Sequence, residues 1–307
     1  MLQEIIQTTE KIIFIDGSYF CFHRYYSMIN WWKNAYPDQL EVLQNPYENE
    51  IFREKFISTF INAVQDIPKK LLINKEENIS LIVGKDCKRE DIWRTKLFSE
   101  YKSGRNKEGF MGKPFFKMVY EDELFQKAGV NLILSLDTLE ADDCIAIATN
   151  YIYKKYPEKE IFIITSDKDY LQLSKPNIHL FNLNYKKLTD LKSSHGDPKL
   201  DLFCKIVAGD TSDNIHSVLK RCGEKTALKY YYNTELFEKK IKEENAEEKL
   251  RLNKLLVDFN QIPEPLQDGF INKYILSSSG SKTTPLSLFT SNTPSFPSSS
   301  SKTHTSH

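Results

Sequence analysis

The chain has 307 residues, 40% of them hydrophobic, with 42 basic and 42 acidic side chains and a formal net charge of zero. That length holds one large domain or two ordinary ones, and the neutral sum argues neither for nor against nucleic acid. No run reaches the ~18–20 apolar residues that span a bilayer, the N-terminus lacks a signal-peptide pattern, and the five cysteines form no C-x-x-C pair, so an intracellular protein with reduced thiols is expected.

In chain order, Lys11 to Ile15 reads as a buried strand, broken by Asp16-Gly17, with Ser18 able to cap the helix that carries Phe22, Tyr25 and Tyr26. Asn30 to Asn49, with Trp31-Trp32 and two prolines, reads as an aromatic loop. Glu50 to Leu72 has apolar residues at helical spacing and predicts one long helix. Ser80 to Asp86 gives a second buried strand. The stretch from Lys85 to Pro114 is basic, aromatic and interrupted by glycine, and its C-terminal part offers little to pack on a core.

Glu121 to Ala128 returns to helix, Asn131 to Ser135 is a third strand, and the helix of LEADDCIAI follows from Leu139. Ile161 to Thr165 is a fourth strand and His179 to Leu183 a fifth. Buried strands alternating with helices predict an α/β fold, a mostly parallel sheet covered on both faces. From Pro198 onward only helices are expected: Leu200 to Ala208, Glu224 to Tyr232 and Thr234 to Phe259. The expected division is therefore 1–198, 199–276, and a tail over 277–307 whose Ser/Thr/Pro-rich composition predicts disorder. The tail's Leu286-Ser287-Leu288-Phe289 is read as spacer.

Acidic residues recur at equivalent points of this pattern. Asp16, Asp86 and Asp167 each follow a predicted strand, and Glu140, Asp142 and Asp143 open a helix just past another. In an open parallel sheet those strand ends share one edge, where ligand crevices form. Asp169, Asp210 and Asp213 would add to the cluster. Any one of these acids alone reads as a turn or helix cap. Collected on one edge, they would raise one another's pKa unless a cation lay between them. Oxygen ligands without cysteine or histidine suit magnesium, with manganese as substitute. Two such ions about 4 Å apart stabilise both oxygens of an in-line phosphoryl displacement.

LEADD, TSDKDYLQL and AGDTSDN, with FIDGS near the start and a later GEKTA, resemble the 5′-nuclease superfamily, over roughly Ile12 to Tyr230. That superfamily comprises the 5′–3′ exonuclease domains of bacterial DNA polymerase I, phage 5′ exonucleases and flap endonucleases. The resemblance implies a PIN-like three-layer α/β/α domain, a helical arch at about 88–117, and a helix–three-turn–helix module over 199–276. It also implies two Mg²⁺ ions and a DNA partner with a 5′ flap or 5′ end at a duplex junction, RNA-primed or not. Asp16, Asp86, Glu140 and Asp142 would serve the first metal. Asp143, Asp167, Asp169, Asp210 and Asp213 would serve the second, with Asp142 shared.

The resemblance gives Arg94, Lys102 and Arg105 contacts to the scissile phosphate, with Tyr101 beside them, against the plain reading of a solvated basic face. Phe22 stands where the superfamily places a ring that stacks on a terminal base; a core phenylalanine is the alternative. Gly223, Lys225 and Thr226 would hold duplex phosphates, and a K⁺ ion is often bound there in the superfamily. NIHSVLKRCGEKTA departs from the usual pattern, lacking its proline and one or two glycines and running one residue longer. Lys220 and Arg221 could supply phosphate contacts instead. A monomer is expected, and no clear motif points to a sliding clamp or polymerase. The alternatives are a PIN-domain ribonuclease, which would lack arch and module, a catalytically inactive DNA-binding scaffold, which would have lost acids, and a HAD-type phosphatase, which needs a second aspartate near Asp16.

Overall fold

The computed structural model describes residues 1–74, 76–105 and 109–278. Five strands form one parallel sheet: β1 (Lys11–Asp16), β2 (Ile79–Gly84), β3 (Leu132–Leu134), β4 (Glu160–Ile164) and β5 (Ile178–Phe181), in the order β3-β2-β1-β4-β5. The chain lays β2 and β3 to one side of β1, then returns to add β4 and β5 on the other. This reversal opens a crevice at the C-terminal ends of β1 and β4.

The period-two alternation of a strand divides β1 between two cores. Ile12 and Phe14 face α1 (Leu2–Thr8) and a later helix that carries Cys144, Ile145 and Ala148. Ile13 and Ile15 face the other side, packed with α2 (Gly17–Ala35), α3 (Glu50–Gln65) and α4 (Ile67–Lys70). After β2 come α5 (Trp93–Leu97), α6 (Lys113–Glu121) and α7 (Leu124–Lys127), and α8 (Ala141–Lys155) follows β3. Past β5 the chain is helical: α9 (Pro198–Ala208), α10 (Glu224–Tyr232), α11 (Thr234–Glu244), α12 (Glu247–Val257) and α13 (Glu264–Tyr274). A third core joins Leu200, Val207, Leu219, Ala227 and Ile241 of this helical unit. All five cysteines are free thiols. Among the described residues no helix is long and apolar enough to cross a membrane.

Several expectations need correction. The helix after β1 is capped by Asp16, whose carboxylate accepts from the Tyr19 amide at 3.0 Å, while Ser18 lies inside it. That helix runs on to Ala35, because Met28 and Trp32 keep its apolar stripe in the core. The long helix from Glu50 breaks at Asp66, ahead of Pro68, whose missing N–H cannot continue the ladder. Thr234 to Phe259 is likewise split, by Asn245 in the left-handed conformation.

The helical arch at 88–117 is not seen among the described residues. In its place stand a 3-10 turn at Arg89–Asp91, the short α5, further turns to residue 105, and the start of α6. Phe110 packs against Phe22 and Tyr25 at the edge of a core, so the C-terminal part of the stretch from Lys85 to Pro114 does find packing partners. Residues 106–108 of the proposed arch, and all but two residues of the expected disordered tail, lie outside the described residues.

The domain boundary also moves. Phe259, Ile262, Phe270, Tyr274 and Ile275 join the core around α8. The Tyr274 hydroxyl accepts from the Ser135 amide at 2.8 Å. The helical unit is therefore 198–258, and the chain then returns to the first domain, because α13's apolar face fits the sheet-covering layer.

Candidate active site

Asp16, Asp86, Glu140, Asp142 and Asp167 line one cavity of about 500 Å³ at the crevice, with Lys102, Arg105, Phe22, Tyr26 and Phe110 around it. Four segments of chain deliver these acids, each from just beyond a strand. Local structure sets their positions. Gly17 allows α2 to start against β2: a Cβ there would lie 2.5 Å from the Gly84 carbonyl oxygen and 2.6 Å from the Tyr120 hydroxyl. Asp16 accepts from Thr165 Oγ1 at 3.1 Å as well as from Tyr19. Asp86 accepts from the Ala141 amide at 2.8 Å and from the Ser18 hydroxyl, which ties β2's end to the start of α8.

The electrostatics are those of an under-neutralised anionic pit. Burial, and then repulsion from Asp86, pushes the Asp16 carboxyl up to about 7. Burial and the neighbouring Glu140 raise Asp142 well above the usual carboxylate range. Burial would raise Glu140 too, but Lys102 and Arg94 outweigh it and hold its pKa below the ordinary value. Glu140, Asp142 and Asp143 present oxygens within 4.8 Å of one another. The acids that line the cavity, Asp16, Asp86, Glu140, Asp142 and Asp167, are all hard oxygen donors, so a hard divalent ion fits this set.

Not every expected ligand is free to serve. Asp143 is wholly buried: Arg94 holds both its oxygens at 2.8 Å, and Trp93 Nε1 donates to Oδ2 at 2.9 Å. It does not line the cavity, so we withdraw it from the ligands facing that space. Arg94 is corrected with it. It is 1% exposed, donates also to Glu140 at 3.1 Å and, through Nε, to the Leu256 carbonyl at 2.8 Å, and cannot reach a phosphate. Tyr101 is buried as well, its hydroxyl donating to Glu140 at 3.1 Å, so it braces the site instead of contacting DNA.

Lys102 and Arg105 do face the cavity. Lys102 pairs with Glu140 and sits 3.7 Å from Asp213, and the half-exposed Arg105 pairs with Asp213. Across Ser166 and Asp167 lies a second cavity of about 600 Å³, lined by Lys205, Asp210, His195 and Gly223. Here Lys205 bridges Asp169 and Asp210, at 2.9 Å from the latter. Burial opposes the ionisation of Asp210, but Lys205 draws its pKa down to about 2.

Phe22 is half-buried, tilted against Phe110 and edge-on to Phe116, with ring centroids 5.1 and 4.7 Å apart, so it is a cavity wall and a packing residue at once. Lys220, Arg221 and Gly223 are exposed on the turn between α9 and α10, Lys225 is exposed in the first turn of α10, and Thr226 beside it is half-buried. Arg221 adopts φ 54°, the left-handed conformation for which a glycine would be suited.

Sequence reasoning gave Ser18 a different role, as a helix cap, and missed the contacts that Thr165, Trp93 and Lys205 make with the acids. Lys205 left a signal, as the one cation inside the apolar run Leu202 to Ala208 and five residues before Asp210. Thr165 and Trp93 left none beyond adjacency to named residues.

The model of the family described as "5'-3' exonuclease, N-terminal resolvase-like domain" matches residues 11–197. The chain belongs to this 5′-3′ exonuclease family. It is an enzyme of the 5′-nuclease superfamily. It is 28% identical over 215 residues to the Ribonuclease H of Enterobacteria phage T4, covering 62% of this chain and 67% of that protein. It is 29% identical over 238 residues to the 5′-3′ exonuclease of Mycoplasmopsis pulmonis (strain UAB CTIP), covering 75% and 69%. Among solved structures, the 5′-exonuclease of phage T5 with bound zinc superposes with a TM-score of 0.60 at 20% identity, covering 87% of this chain and 98% of that one. A T5 flap endonuclease in a pseudo-enzyme–product complex with DNA and metal ions gives 0.59 at 17% identity, with the same coverage. These structures share the fold, including the helical unit that follows the matched region.

Proposed function

We propose that the chain hydrolyses DNA phosphodiester bonds near the junction of a single-stranded 5′ end with a duplex, using two divalent ions of the magnesium type. The observation that carries the reading is the convergence of Asp16, Asp86, Asp142 and Asp167 on one cavity with Lys102 and Arg105 at its rim. Asp16, Asp86, Glu140 and Asp142 would hold one ion; Asp167, Asp169, Asp210 and Asp213 would hold the other directly or through water. Such ions supply a hydroxide near neutral pH and charge stabilisation for both oxygens of the displacement. The chain's own groups do the rest. Thr165 and the Tyr19 amide fix the Asp16 carboxylate, and Ser18 with the Ala141 amide fixes Asp86, so that neither must reorient. Lys102 and Arg105 place positive charge where the scissile phosphate gains negative charge.

The exposed turn from Lys220 to Lys225, reached across the second cavity, offers phosphate contacts that position a duplex without reading its bases. Phe22 and Phe110 offer ring faces to an unpaired base beside the acids. A relative named Ribonuclease H makes RNA-primed strands a substrate to test alongside DNA.

The test compares a 5′-flap DNA, the same flap with an RNA 5′ segment, and single-stranded RNA, each with and without Mg²⁺. Metal-dependent release of the flap is expected. Cleavage of the single-stranded RNA alone would move the assignment to a PIN-domain ribonuclease, and binding without cleavage of any substrate would make the protein a scaffold.

A further inference from the structure

The two halves of the acidic crevice are neutralised differently. Asp16 and Asp86 have hydrogen-bond donors but no cationic side chain in ion-pair contact among the described residues. Asp169 and Asp210, by contrast, already share a cation. The Lys205 ammonium reaches both, and its side chain is only 17% exposed. It stands on α9, in the helical unit, yet pairs with an acid from beyond β4 as well as one from its own unit.

We propose that Lys205 is a displaceable counter-ion occupying the second cation position, so that the ion entering there must first evict the ammonium. This inference rests on the metal-dependent reading above and deepens it. Two positive charges cannot both sit between Asp169 and Asp210, because at contact distance their repulsion in a part-buried site is large. The ammonium has somewhere to go. The second cavity opens beside it, walled by Ser166, Thr211 and Ser212, and that space faces the turn proposed to hold duplex phosphate. A flexible four-carbon stem allows the swing that a rigid guanidinium fork would resist. The two ions are therefore bound unequally. The one at Asp16, Asp86 and Asp142 enters without a competitor. The one at Asp169 and Asp210 competes with Lys205 until a phosphate takes the ammonium.

The experiment titrates Mn²⁺ by calorimetry into the metal-free full chain, without DNA, for the native protein and for Lys205→Met. The expected result is that the weaker of two binding steps tightens in the variant by about tenfold, within the range typical of coupled sites, while the stronger step is unchanged. A weaker step that is unchanged or further weakened would overturn the proposal and leave Lys205 as a structural tie between the two units. Two steps absent from the native protein would instead overturn the metal-dependent reading itself, and this inference with it. Should Lys205→Met fail to fold, the native protein decides alone. Reductive methylation of Lys205, followed by mass spectrometry, is expected to speed up on adding Mn²⁺, and equal or slower labelling would reject displacement.

Discussion

Arg94 and Asp143 meet as a two-pronged pair, Nη1 to Oδ2 and Nη2 to Oδ1 both at 2.8 Å, out of reach of solvent. Removing one partner of such a pair leaves an uncompensated buried charge. Arg94→Met is therefore expected to destabilise the fold by about 3–5 kcal/mol in urea unfolding. The double variant Arg94→Met with Asp143→Leu is expected to recover a large part of that loss. If the single and double variants are equally unstable, the pair is not the source.

Asp142 has no cationic side chain in direct ion-pair contact among the described residues, and it faces the cavity. Asp142→Asn should bind a 5′-flap DNA about as well as the native protein and cut it more than about 100-fold more slowly, since even outer partners of a metal are worth 10–100-fold. Gel-shift and single-turnover cleavage separate the two effects. Unimpaired cutting would remove Asp142 from the site.

Stability of the metal-free protein should fall as pH rises. Asp16 and Asp169 are pushed from 3.8 up to about 7, chiefly by burial. A carboxyl with a raised folded-state pKa binds its proton more tightly when folded, so protonation favours the native state. That contribution is fully present below 3.8 and is lost as pH climbs to about 7. Asp210, lowered to about 2, acts oppositely, but only between 3.8 and about 2. Thermal unfolding with chelator is expected to show Tm declining between pH 4.5 and 7.5 by several degrees, on the order of what 1–2 kcal/mol gives in a domain of this size. Mg²⁺ should flatten that slope. A slope unaffected by the ion would break the link between these carboxyls and metal.

Gly17→Ala should destabilise by about 1–3 kcal/mol, the range for overpacking a tight interior. The added methyl would press on the Gly84 carbonyl, which belongs to a central strand and cannot move aside. Because the Tyr19 amide of α2 donates to the Asp16 carboxylate, flap cleavage is expected to fall further than the stability loss accounts for. A variant as stable and as active as the native protein would show that the contact yields.

The parts of this architecture that were legible in the sequence are those with one-dimensional signatures. Buried apolar runs gave all five strands to within two residues at their ends, and acids follow three of those runs closely. Because strand ends in a parallel sheet share an edge, Asp16, Asp86, Asp142 and Asp167 could be placed together before any coordinates. What the sequence did not carry was the pairing of charges across distance. Arg94 reads as one more residue of a basic run, and only the packing of α5 against α8 and α12 turns it inward to Asp143 and Leu256. The same holds for α13, whose modest amphipathic pattern fits either neighbour, and whose docking on the α8 layer depends on where α12 ends.

That docking makes the helical unit an insertion, joined to the first domain at both ends, near Pro198 and again past Asp258. A segment tied at two points cannot tumble freely as a terminal appendage would; it can only rock about the line joining its anchors. Any rocking would slide the Leu256 carbonyl against Arg94, and so would be felt by the guanidinium that grips Glu140 and Asp143. A duplex held on the outer turn, as proposed above, would have a mechanical route to the acids, and trimming the chain before α13 would cut one of its two pivots.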